Sequence, residues 1–590
     1  MIGSPWWLVV PTDLVESALA AAPELLEIEP VQSGRGRYTL VARRVEGGVP
    51  RQQAPRFVAT ALLGEPQPHG LIREQPATLR QLHEFLLPAG VDLLDELRVR
   101  LPTWRVRSDF AQLIGTTLII VAALPKTRTP SGMVESQDVW AFLCSGNLGQ
   151  LGDEIGAWGM VGGYAGALLT PDADRRGEGV RLEVLNTTYA FSPQRAAELA
   201  GIAGRDQRRI DAVGMGALGS QVFTNLLRMG YGEWVLIDYD EMLPHNLAKH
   251  ALFGDSVGHS KVLVLSAYAT RTLGGVPYAE FIVADVLQPG ESEAQVNDAL
   301  SRADVILDAS ASVPVARHLA RDVESYGRRI SVFFNPSGTD GVILAEDAGC
   351  RCRLDWLEML YYRRLVSEPR LRGHLDHEPA RLRYARSCRD LSNEIPQDLV
   401  ALHAATATRA LRAALERDEG SISLWRSNPE DLGIEHIQVE VTEVIDVRVG
   451  DWTLCFDSWL LDKLMWSRGE KLPNETGGVL VGTHDMQRKV LYVVDTLPSP
   501  PDSTEWLTVY IRGSRGLTPR VDEIGRLTAG NLVYVGEWHS HPDGYGTEPS
   551  SDDRKAFAWL ADIMNTAGLP AVMLIAGKCG GHIWYVEAMP

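Results

Sequence analysis

Cysteine, positive charge and long apolar runs are all scarce in this chain of 590 residues. Six cysteines are too few for a disulfide framework, which indicates reduced thiols in a cytoplasmic protein. The 57 basic against 76 acidic residues give a net charge of −19, which argues against a nucleic-acid partner. The most apolar stretch, residues 117–124, is far shorter than the roughly 20 residues that span a bilayer, so we expect no membrane segment. The first residues lack a basic region ahead of an apolar one, so no signal peptide is predicted.

The length predicts an α/β multidomain protein, because one core does not grow to 590 residues. Residues 1–204 carry no recognisable motif, and we expect an unassigned α+β region there, either conjugating-enzyme-like or a docking module. Residues 205–425 alternate strand, glycine turn, helix and strand, which predicts a Rossmann-like, doubly wound parallel sheet. Residues 440–590 predict a small α/β domain of short strands and two helices, after a linker at 421–433.

The strongest local signal is the pair His539 and His541 in the run Gly-Glu-Trp-His-Ser-His-Pro. Side chains alternate across a strand, so imidazoles two residues apart share one face and can bind one metal ion. Asp553, at the start of an apolar helical pattern, can supply a third ligand. Three such ligands with a fourth position open to water are typical of a catalytic Zn²⁺ site. Glu475, in the run Asn-Glu-Thr-Gly-Gly-Val, is the candidate base.

These motifs resemble the JAMM pattern of the JAB/MPN metalloprotease family. The residues around the two histidines are most similar to those of its prokaryotic branch. The resemblance covers about residues 445–586 and implies a zinc isopeptidase that cleaves after the C-terminal glycine of ubiquitin or a ubiquitin-like protein. It also implies that Ser550 helps to hold the tetrahedral oxyanion. The gap from His541 to Ser550 is one residue longer than the family's usual spacing, so Asp552 is an alternative to Asp553 as the third ligand.

A glycine-rich turn follows a predicted strand and opens a predicted helix, with the spacing Gly-x-Gly-x-x-Gly at Gly214, Gly216 and Gly219. Taken alone, this turn and Asp238 at the end of the next strand are the general fingerprint of dinucleotide binding, for which NAD is the default ligand. Residues that suit a triphosphate and its magnesium follow on the crossover, and they argue against NAD. They are Asp240, Asn246, Lys249 and Lys261.

This pattern resembles the ThiF/MoeB and ubiquitin-activating family, over about residues 208–416. The resemblance implies a homodimeric domain that adenylates the C-terminal glycine of a ubiquitin-like protein with ATP and Mg²⁺. It assigns Asp238 to the ribose, and the four crossover residues just named to the phosphates and the metal.

The chain departs from that family at three positions. Lys249 stands where arginine is usual, and His250 where glutamine is. After a strand that ends near residue 307 the family favours Asp-x-(Thr/Ser)-Asp, whereas this chain has Asp308-Ala-Ser-Ala311. Asp308 is therefore the candidate replacement for the missing magnesium ligand.

Activating enzymes of this class often transfer the adenylated tail to a cysteine, whose thiolate is the nucleophile. Cys388 lies between arginines ahead of an alanine-rich helical pattern, and nearby positive charge lowers the pKa of a thiol. Its place resembles the family's cysteine–arginine segment, so it is the candidate thioester nucleophile. Cys350 and Cys352 are a candidate half of a structural zinc site, whose second pair is absent. The remaining thiols are expected to be buried and inert, with a conjugating-type nucleophile as the alternative for the first of them: Cys144, Cys455 and Cys579.

Together these features predict a bifunctional protein of a bacterial ubiquitin-like conjugation pathway, whose partners are a ubiquitin-like protein ending in glycine and a separate conjugating enzyme. One alternative is a peptidase whose ThiF-like domain only recognises the tail, and Ala311 favours it. A second alternative is an NAD-dependent oxidoreductase fused to a hydrolase, which Lys249 and Lys261 disfavour.

Overall fold

The computed structural model describes residues 6–10, 26–32, 38–44, 57–70, 74–130, 132–168, 170, 172–274, 277–376, 381–383, 391–578 and 580–586. The chain divides into two compact units. Unit 1 comprises Met1–Gly201 and Thr272–Val276, and unit 2 comprises Ile202–Arg271 and Pro277–Pro590. In the described part of the chain, every helix is too short or too polar to cross a membrane.

Unit 1 is a mixed sheet with helices packed on it. Its strands are β1 (Trp6–Val10), β2 (Leu26–Gln32), β3 (Tyr38–Arg44), β4 (Phe57–Leu63), β5 (Gln67–Pro68), β6 (Thr117–Thr127), β7 (Val134–Cys144), β8 (Gly159–Val161), β9 (Tyr164–Gly166) and β10 (Leu182–Tyr189). Its helices are α1 (Leu79–Leu86), α2 (Leu93–Thr103), α3 (Phe110–Leu113), α4 (Leu148–Glu154) and α5 (Pro193–Leu199).

The strand order in unit 1 is β4-β2-β3-β1-β10-β7-β6-β5, and β4 also pairs with β6, so the sheet closes on itself. Strand β6 is buried on both faces. Leu118 and Ile120 belong to the core that holds α1 and α2, whereas Ile119 and Val121 belong to the core on the other face. This explains why residues 117–124 form a continuous apolar run rather than an alternating one. The predicted mixture of helices and strands in this region is confirmed.

The first sheet of unit 2 has eight strands. They are β11 (Arg209–Val213), β12 (Glu233–Ile237), β13 (Ala279–Ile282), β14 (Val305–Asp308), β15 (Arg328–Phe334), β16 (Asp340–Ala345), β19 (Ser421–Ser427) and β20 (Ile434–Val439), while β17 (Arg381–Arg383) and β18 (Leu391–Asn393) pair only with each other. The helices are α6 (Ala217–Leu227), α7 (Lys261–Thr272), α8 (Glu293–Arg302), α9 (Val313–Arg321), α10 (Leu354–Ser367) and α11 (Gln397–Leu415).

The order of this sheet is β13-β12-β11-β14-β15-β16-β19-β20, with parallel pairing from β13 to β15 and antiparallel pairing beyond. The predicted doubly wound sheet is therefore confirmed. Its order reverses between β11 and β14, the switch point where ligands bind in such sheets. The expected linker at residues 421–433 is wrong in its first half: β19 pairs with both β16 and β20, because its buried Ile422 and Leu424 pack into the core.

The second sheet of unit 2 has the order β21-β22-β24-β23-β27-β28-β29. Its strands are β21 (Ile445–Val449), β22 (Trp452–Phe456), β23 (Gly477–Asp485), β24 (Val490–Leu497), β27 (Val533–Ser540), β28 (Ala571–Gly577) and β29 (Gly580–Val586), with a separate small hairpin of β25 (Thr504–Glu505) and β26 (Tyr510–Ile511). The helices are α12 (Ser458–Lys471), α13 (Leu517–Leu527) and α14 (Ser551–Thr566).

Helix α10 joins the cores of the two sheets. All its residues from 354 to 362 are buried, which is typical of a helix surrounded by protein on every side. One apolar cluster contains Trp356 and Leu360 of α10, Leu424 of β19 and Val494 of β24. The two sheets of unit 2 therefore share one hydrophobic core.

Candidate functional site

His539, His541 and Asp553 come together at the end of β27. His539 Nε2 lies 3.1 Å from Asp553 Oδ1, and His541 Nε2 lies 3.5 Å from Asp553 Oδ2. Their donor atoms all lie within 4.8 Å of one another, and among the described residues this is the one group of His, Cys, Asp and Glu side chains that could hold a metal ion. The structure thus brings together the three ligands expected from the sequence.

The chemistry of this cluster fits Zn²⁺. His539 Nε2 is buried, and its 3.1 Å contact with Asp553 does not have the geometry of a hydrogen bond. Such an atom is expected of a metal ligand. Burial would raise the pKa of Asp553, but the two imidazoles lower it well below its usual range, so the carboxylate is ionised. Two imidazole nitrogens and one carboxylate oxygen are a known zinc-binding set that leaves a fourth position for water.

The sheet fixes the two histidines. Strand β27 lies between β23 and β28, with Gly477 opposite His539. Beyond the strand, the His541 amide donates to the carbonyl oxygen of Ala576 over 2.9 Å. The His541 Nδ1 lies 2.5 Å from the carbonyl oxygen of Gly546, which directs Nε2 towards Asp553.

Glu475 precedes β23 and is 8% exposed. Its amide donates to the carbonyl oxygen of Trp506 over 2.8 Å. Burial raises the pKa of its carboxyl, and the charges of His541 and His539 oppose that rise. At Gly477 a Cβ atom would lie 2.3 Å from a backbone oxygen of β27, so only glycine allows this close approach of the strand to the histidines.

Ser550 is the N-cap of α14, in a capping box with Asp553. Its Oγ accepts from the Asp553 amide over 3.1 Å, and Asp553 Oδ2 accepts from the Ser550 amide over 2.7 Å. A hydrogen bond from the Ser550 side chain also helps to lower the pKa of Asp553. Asp552 is exposed and pairs with Lys555 over 2.9 Å, so the structure places Asp553 rather than Asp552 at the histidines.

The glycine turn lies between β11 and α6. Gly214 has a φ of 88°, and a Cβ there would lie 2.6 Å from the Ser310 backbone. A Cβ at Gly219 would lie 2.2 Å from the Gly214 carbonyl oxygen, so helix and turn pack closely. Gly216 caps α6 and has open space where its side chain would be. The N-terminus of α6 is therefore open to a phosphate group.

Asp238 and Asp240 lie at the end of β12, beside this turn. Asp238 is buried, and its Oδ2 and Oδ1 accept from the amides of Met215 (2.6 Å) and Asp240 (2.8 Å). Burial raises the pKa of Asp238, and the charge of Lys261 opposes the rise. Lys261, at the start of α7, lies 2.7 Å from Asp240 Oδ2. Three of the residues that were predicted to bind a nucleotide thus lie around the glycine turn.

The other two crossover residues, Asn246 and Lys249, lie in the short helical turn Pro244–Ala248 or just after it. Asn246 Oδ1 accepts from the Leu243 amide over 2.9 Å and so stabilises the turn itself. Lys249 is half-buried, and burial lowers the pKa of its ammonium group.

His250 is a residue whose role the sequence pattern did not predict. It is buried, its Nε2 lies 2.8 Å from the carbonyl oxygen of Met215, and its Nδ1 accepts from the Leu252 amide over 3.1 Å. The Nε2 therefore carries the proton, and its N–H donates a hydrogen bond to the glycine turn. The only sequence signal is its place where the family has glutamine, another side chain with a donor at that reach.

Asp308 ends β14 opposite Val213, next to the glycine turn. Its Oδ1 accepts from the amide and hydroxyl of Ser310 (3.0 and 2.6 Å), and its Oδ2 accepts from the Ser331 hydroxyl (2.8 Å). It is 1% exposed, and burial raises the pKa of its carboxyl. Oδ1 thus stabilises the turn that leads to Ala311, which has a φ of 53°, while Oδ2 is bound to the neighbouring strand β15.

The candidate nucleophile Cys388 lies outside the described residues, and so does Cys579. Burial raises the pKa of the Cys350 and Cys352 thiols to about 11, and within the described ranges neither belongs to a group that could hold a metal ion. The two others are buried, and burial raises their thiol pKa far above the usual range, as expected of inert thiols: Cys144 and Cys455.

Comparison with known families agrees with both motifs. Residues 194–343 match the ThiF family, and residues 458–586 match the prokaryotic homologs of the JAB domain. The chain therefore joins a ThiF domain to a prokaryotic JAB domain, as its sequence predicted.

Curated relatives match the chain in part. The CD-NTase/cGAS isopeptidase of Enterobacter hormaechei subsp. hoffmannii is 39% identical over 104 residues, which are 18% of this chain and 56% of that protein. The ATP-dependent ubiquitin transferase-like protein Cap2 of the same organism is 35% identical over 122 residues, which are 20% of either chain. The chain thus spans little more than half of the first relative and a fifth of the second. A crystal structure of E. coli MccB with ATP is similar over 40% of this chain and 64% of its own, at 14% identity and a TM-score of 0.28, too distant to inform function.

Proposed function

We propose that this protein activates and hydrolyses the glycine-ended tail of a ubiquitin-like protein in a bacterial conjugation pathway. The observation that carries the proposal is the cluster of His539, His541 and Asp553 beside the buried Glu475. Two imidazoles and a carboxylate beside a second, buried acid suit metal-assisted hydrolysis of an amide.

In the hydrolase, His539, His541 and Asp553 would hold Zn²⁺. Bound zinc would lower the pKa of a water molecule and polarise the scissile carbonyl group. Glu475 would accept the proton of the attacking water and then transfer it to the leaving amine. Ser550 would donate a hydrogen bond from its hydroxyl group to the oxyanion.

In the adenylating domain, the amides of the glycine turn would bind the phosphates of ATP, and Asp238 would bind the ribose. Asp240, Lys249 and Lys261 carry the charges expected around a triphosphate and Mg²⁺, with Asn246 shaping the loop. Cys388 would then take the tail as a thioester, for transfer to a separate conjugating enzyme. A homodimer through this domain belongs to the same proposal.

The relatives support the substrate class. One is a CD-NTase/cGAS isopeptidase and another an ATP-dependent ubiquitin transferase-like protein, so the two activities proposed for this chain occur in the names of two proteins that each resemble part of it.

Two assays test the proposal separately. The zinc-loaded protein should cleave a fusion in which the ubiquitin-like partner ends in Gly-Gly before a reporter, and a chelator should stop the cleavage reversibly. With the free partner, the protein should exchange labelled pyrophosphate into ATP, which requires an acyl-adenylate. Absence of cleavage by the zinc-loaded protein would refute the hydrolase, and absence of exchange would refute the adenylation.

Cys388 can be tested in the second assay. Cys388→Ser should trap an ester with the partner, while Cys388→Ala should keep pyrophosphate exchange. A reductant-sensitive conjugate that persists in Cys388→Ala would assign the nucleophile to another cysteine.

A second candidate function is tail recognition without adenylation. Ala311 lacks the carboxylate expected there, and both oxygens of Asp308 already accept hydrogen bonds, from Ser310 and from Ser331. Tail binding without pyrophosphate exchange would establish this alternative. The other alternative is an NAD-dependent oxidoreductase fused to a hydrolase. A thermal-shift comparison of ATP with NAD would test it, since an oxidoreductase would be stabilised by NAD.

A further inference from the structure

A buried arginine lies behind the proposed zinc site. Arg468, near the end of α12, is 4% exposed. Its Nε donates a 2.9 Å hydrogen bond to the carbonyl oxygen of His541, and its Nη2 lies 2.6 Å from Asp543 Oδ1. One guanidinium therefore contacts the backbone of a candidate metal ligand and the segment that follows it.

Arg468 occupies a position of its helix where an apolar side chain would pack as well. We therefore attribute the arginine to its polar contacts. Leu460, Leu464 and Arg468 recur at every fourth position and form the buried face of α12. A third leucine would continue the apolar face, whereas a buried arginine is costly unless its charge and donors are satisfied. The carboxylate of Asp543 balances the charge, and the Asp543 carboxylate and the His541 carbonyl oxygen each accept from one of the donors.

The segment between His541 and Asp553 needs such a contact. His541 lies one residue beyond the end of β27, and residues 543–546 are exposed, with a φ of 92° at Gly544. Exposed loops move unless side chains tie them to the core. A catalytic site, in contrast, requires its groups to be held within about 0.5 Å of the productive geometry.

We propose that Arg468 is a positioning residue of the zinc site, holding His541 and the loop after it so that His541 and Asp553 stay at ligand distance from one ion. This inference rests on the proposed hydrolase function. The planar guanidinium directs two of its donors at two separate acceptors, whereas a lysine ammonium is a compact point charge without that fixed fork. A positive charge near a metal cation can only oppose its binding, so the benefit of Arg468 is geometric.

The test is the zinc affinity of the full-length protein, measured by chelator competition, for wild type, Arg468→Lys and Arg468→Met. Both variants are expected to bind zinc about 10 to 100 times more weakly, the usual effect of losing a residue that orients a ligand. The melting temperature of each metal-free variant shows whether it is folded. Because Asp543 is exposed, Asp543→Asn gives a second variant that keeps the fold, and it should weaken zinc binding in the same direction.

Lys578→Met is the matched control. Lys578 also pairs with Asp543, over 3.1 Å, but its side chain is 66% exposed, so its loss should change zinc affinity less than about two-fold. Wild-type affinity in folded Arg468→Lys, or an equal loss in Lys578→Met, would overturn the proposal. A wild type that binds zinc no better than His539→Ala would instead refute the hydrolase function itself.

Discussion

The hydroxyl of Tyr492 on β24 donates a 2.7 Å hydrogen bond to Asp355 Oδ2 on α10, and both residues are buried. Arg321 Nε, at the end of α9, lies 2.6 Å from the same oxygen, and Arg353 Nε lies 3.3 Å from Oδ1. One carboxylate therefore joins a strand of the second sheet of unit 2 to helices of the first. With α10 in their common core, we expect the ThiF and JAB domains to unfold as one cooperative unit.

Substitutions at this carboxylate should therefore destabilise both domains. Tyr492→Phe should lower the free energy of unfolding by about 1–3 kcal/mol, because a buried carboxylate loses one of its hydrogen-bond donors. Asp355→Ala should cost about 3–5 kcal/mol, because it leaves the guanidinium of Arg321 without its carboxylate partner. In calorimetry the transition of unit 2 should shift as a whole, and Tyr326→Phe, at a fully exposed tyrosine, should shift nothing. Separate transitions of the ThiF and JAB domains, of which only one moves, would contradict a shared core.

Substitutions at the proposed zinc ligands and at the proposed base should affect different quantities, zinc binding and kcat. Asp553→Asn should lose zinc, whereas Asp552→Asn, at the neighbouring exposed acid, should retain it. Glu475→Gln should keep the metal and lower kcat by about 10² to 10⁴, because a base contributes to turnover and not to ligation. Metal analysis and cleavage of the Gly-Gly fusion measure the two effects. Near-normal cleavage by Glu475→Gln would mean that another group is the base.

Restoring an acid at position 311 should stimulate adenylation. Ala311 has a φ of 53°, in the left-handed region that aspartate and asparagine tolerate better than most residues. Ala311→Asp should raise pyrophosphate exchange roughly tenfold or more, because it adds a carboxylate where the magnesium is expected. Ala311→Asn, of the same shape but uncharged, is the control. Equal exchange in both variants would show that the metal does not use this position.

His250 should make stability depend on pH. Burial lowers the pKa of its imidazole to about 4, from an ordinary value near 6.5. Below pH 6.5 the unfolded chain takes up a proton that the folded chain does not, so stability falls as the pH falls from about 6.5 to about 4. The share of His250 in this loss is about 2 kcal/mol at pH 5.

His250→Gln should remove that share while keeping a donor for the Met215 carbonyl oxygen. Urea unfolding of the metal-free protein at pH 7.5 and pH 5.0 measures the loss in each protein. If wild type and His250→Gln lost the same stability between the two values, His250 would not be the neutral buried donor described here.

Much of the candidate site is predictable because its residues are close in sequence. The turn Gly214–Gly219 and the strand with His539 and His541 depend on alternation and on local backbone geometry. Arg468 is harder to find, since its partners lie more than seventy positions away. The only sequence signal for Arg468 is that it stands where the apolar pattern of Leu460 and Leu464 would continue.

By itself, the sequence determined the two motifs, the parallel sheet and the residue types of the candidate metal site, because each depends on a local period or on residue chemistry. The tertiary structure alone decided three points: Asp553 rather than Asp552 lies at the histidines, residues 421–427 form β19 rather than a linker, and α10 unites the two cores. Neighbouring residues on a helix point about 100° apart, so the packing of α14 against the sheet selects the acid that lies at the two histidines. A strand or a buried helix likewise depends on partners distant in sequence, whose packing no local pattern records.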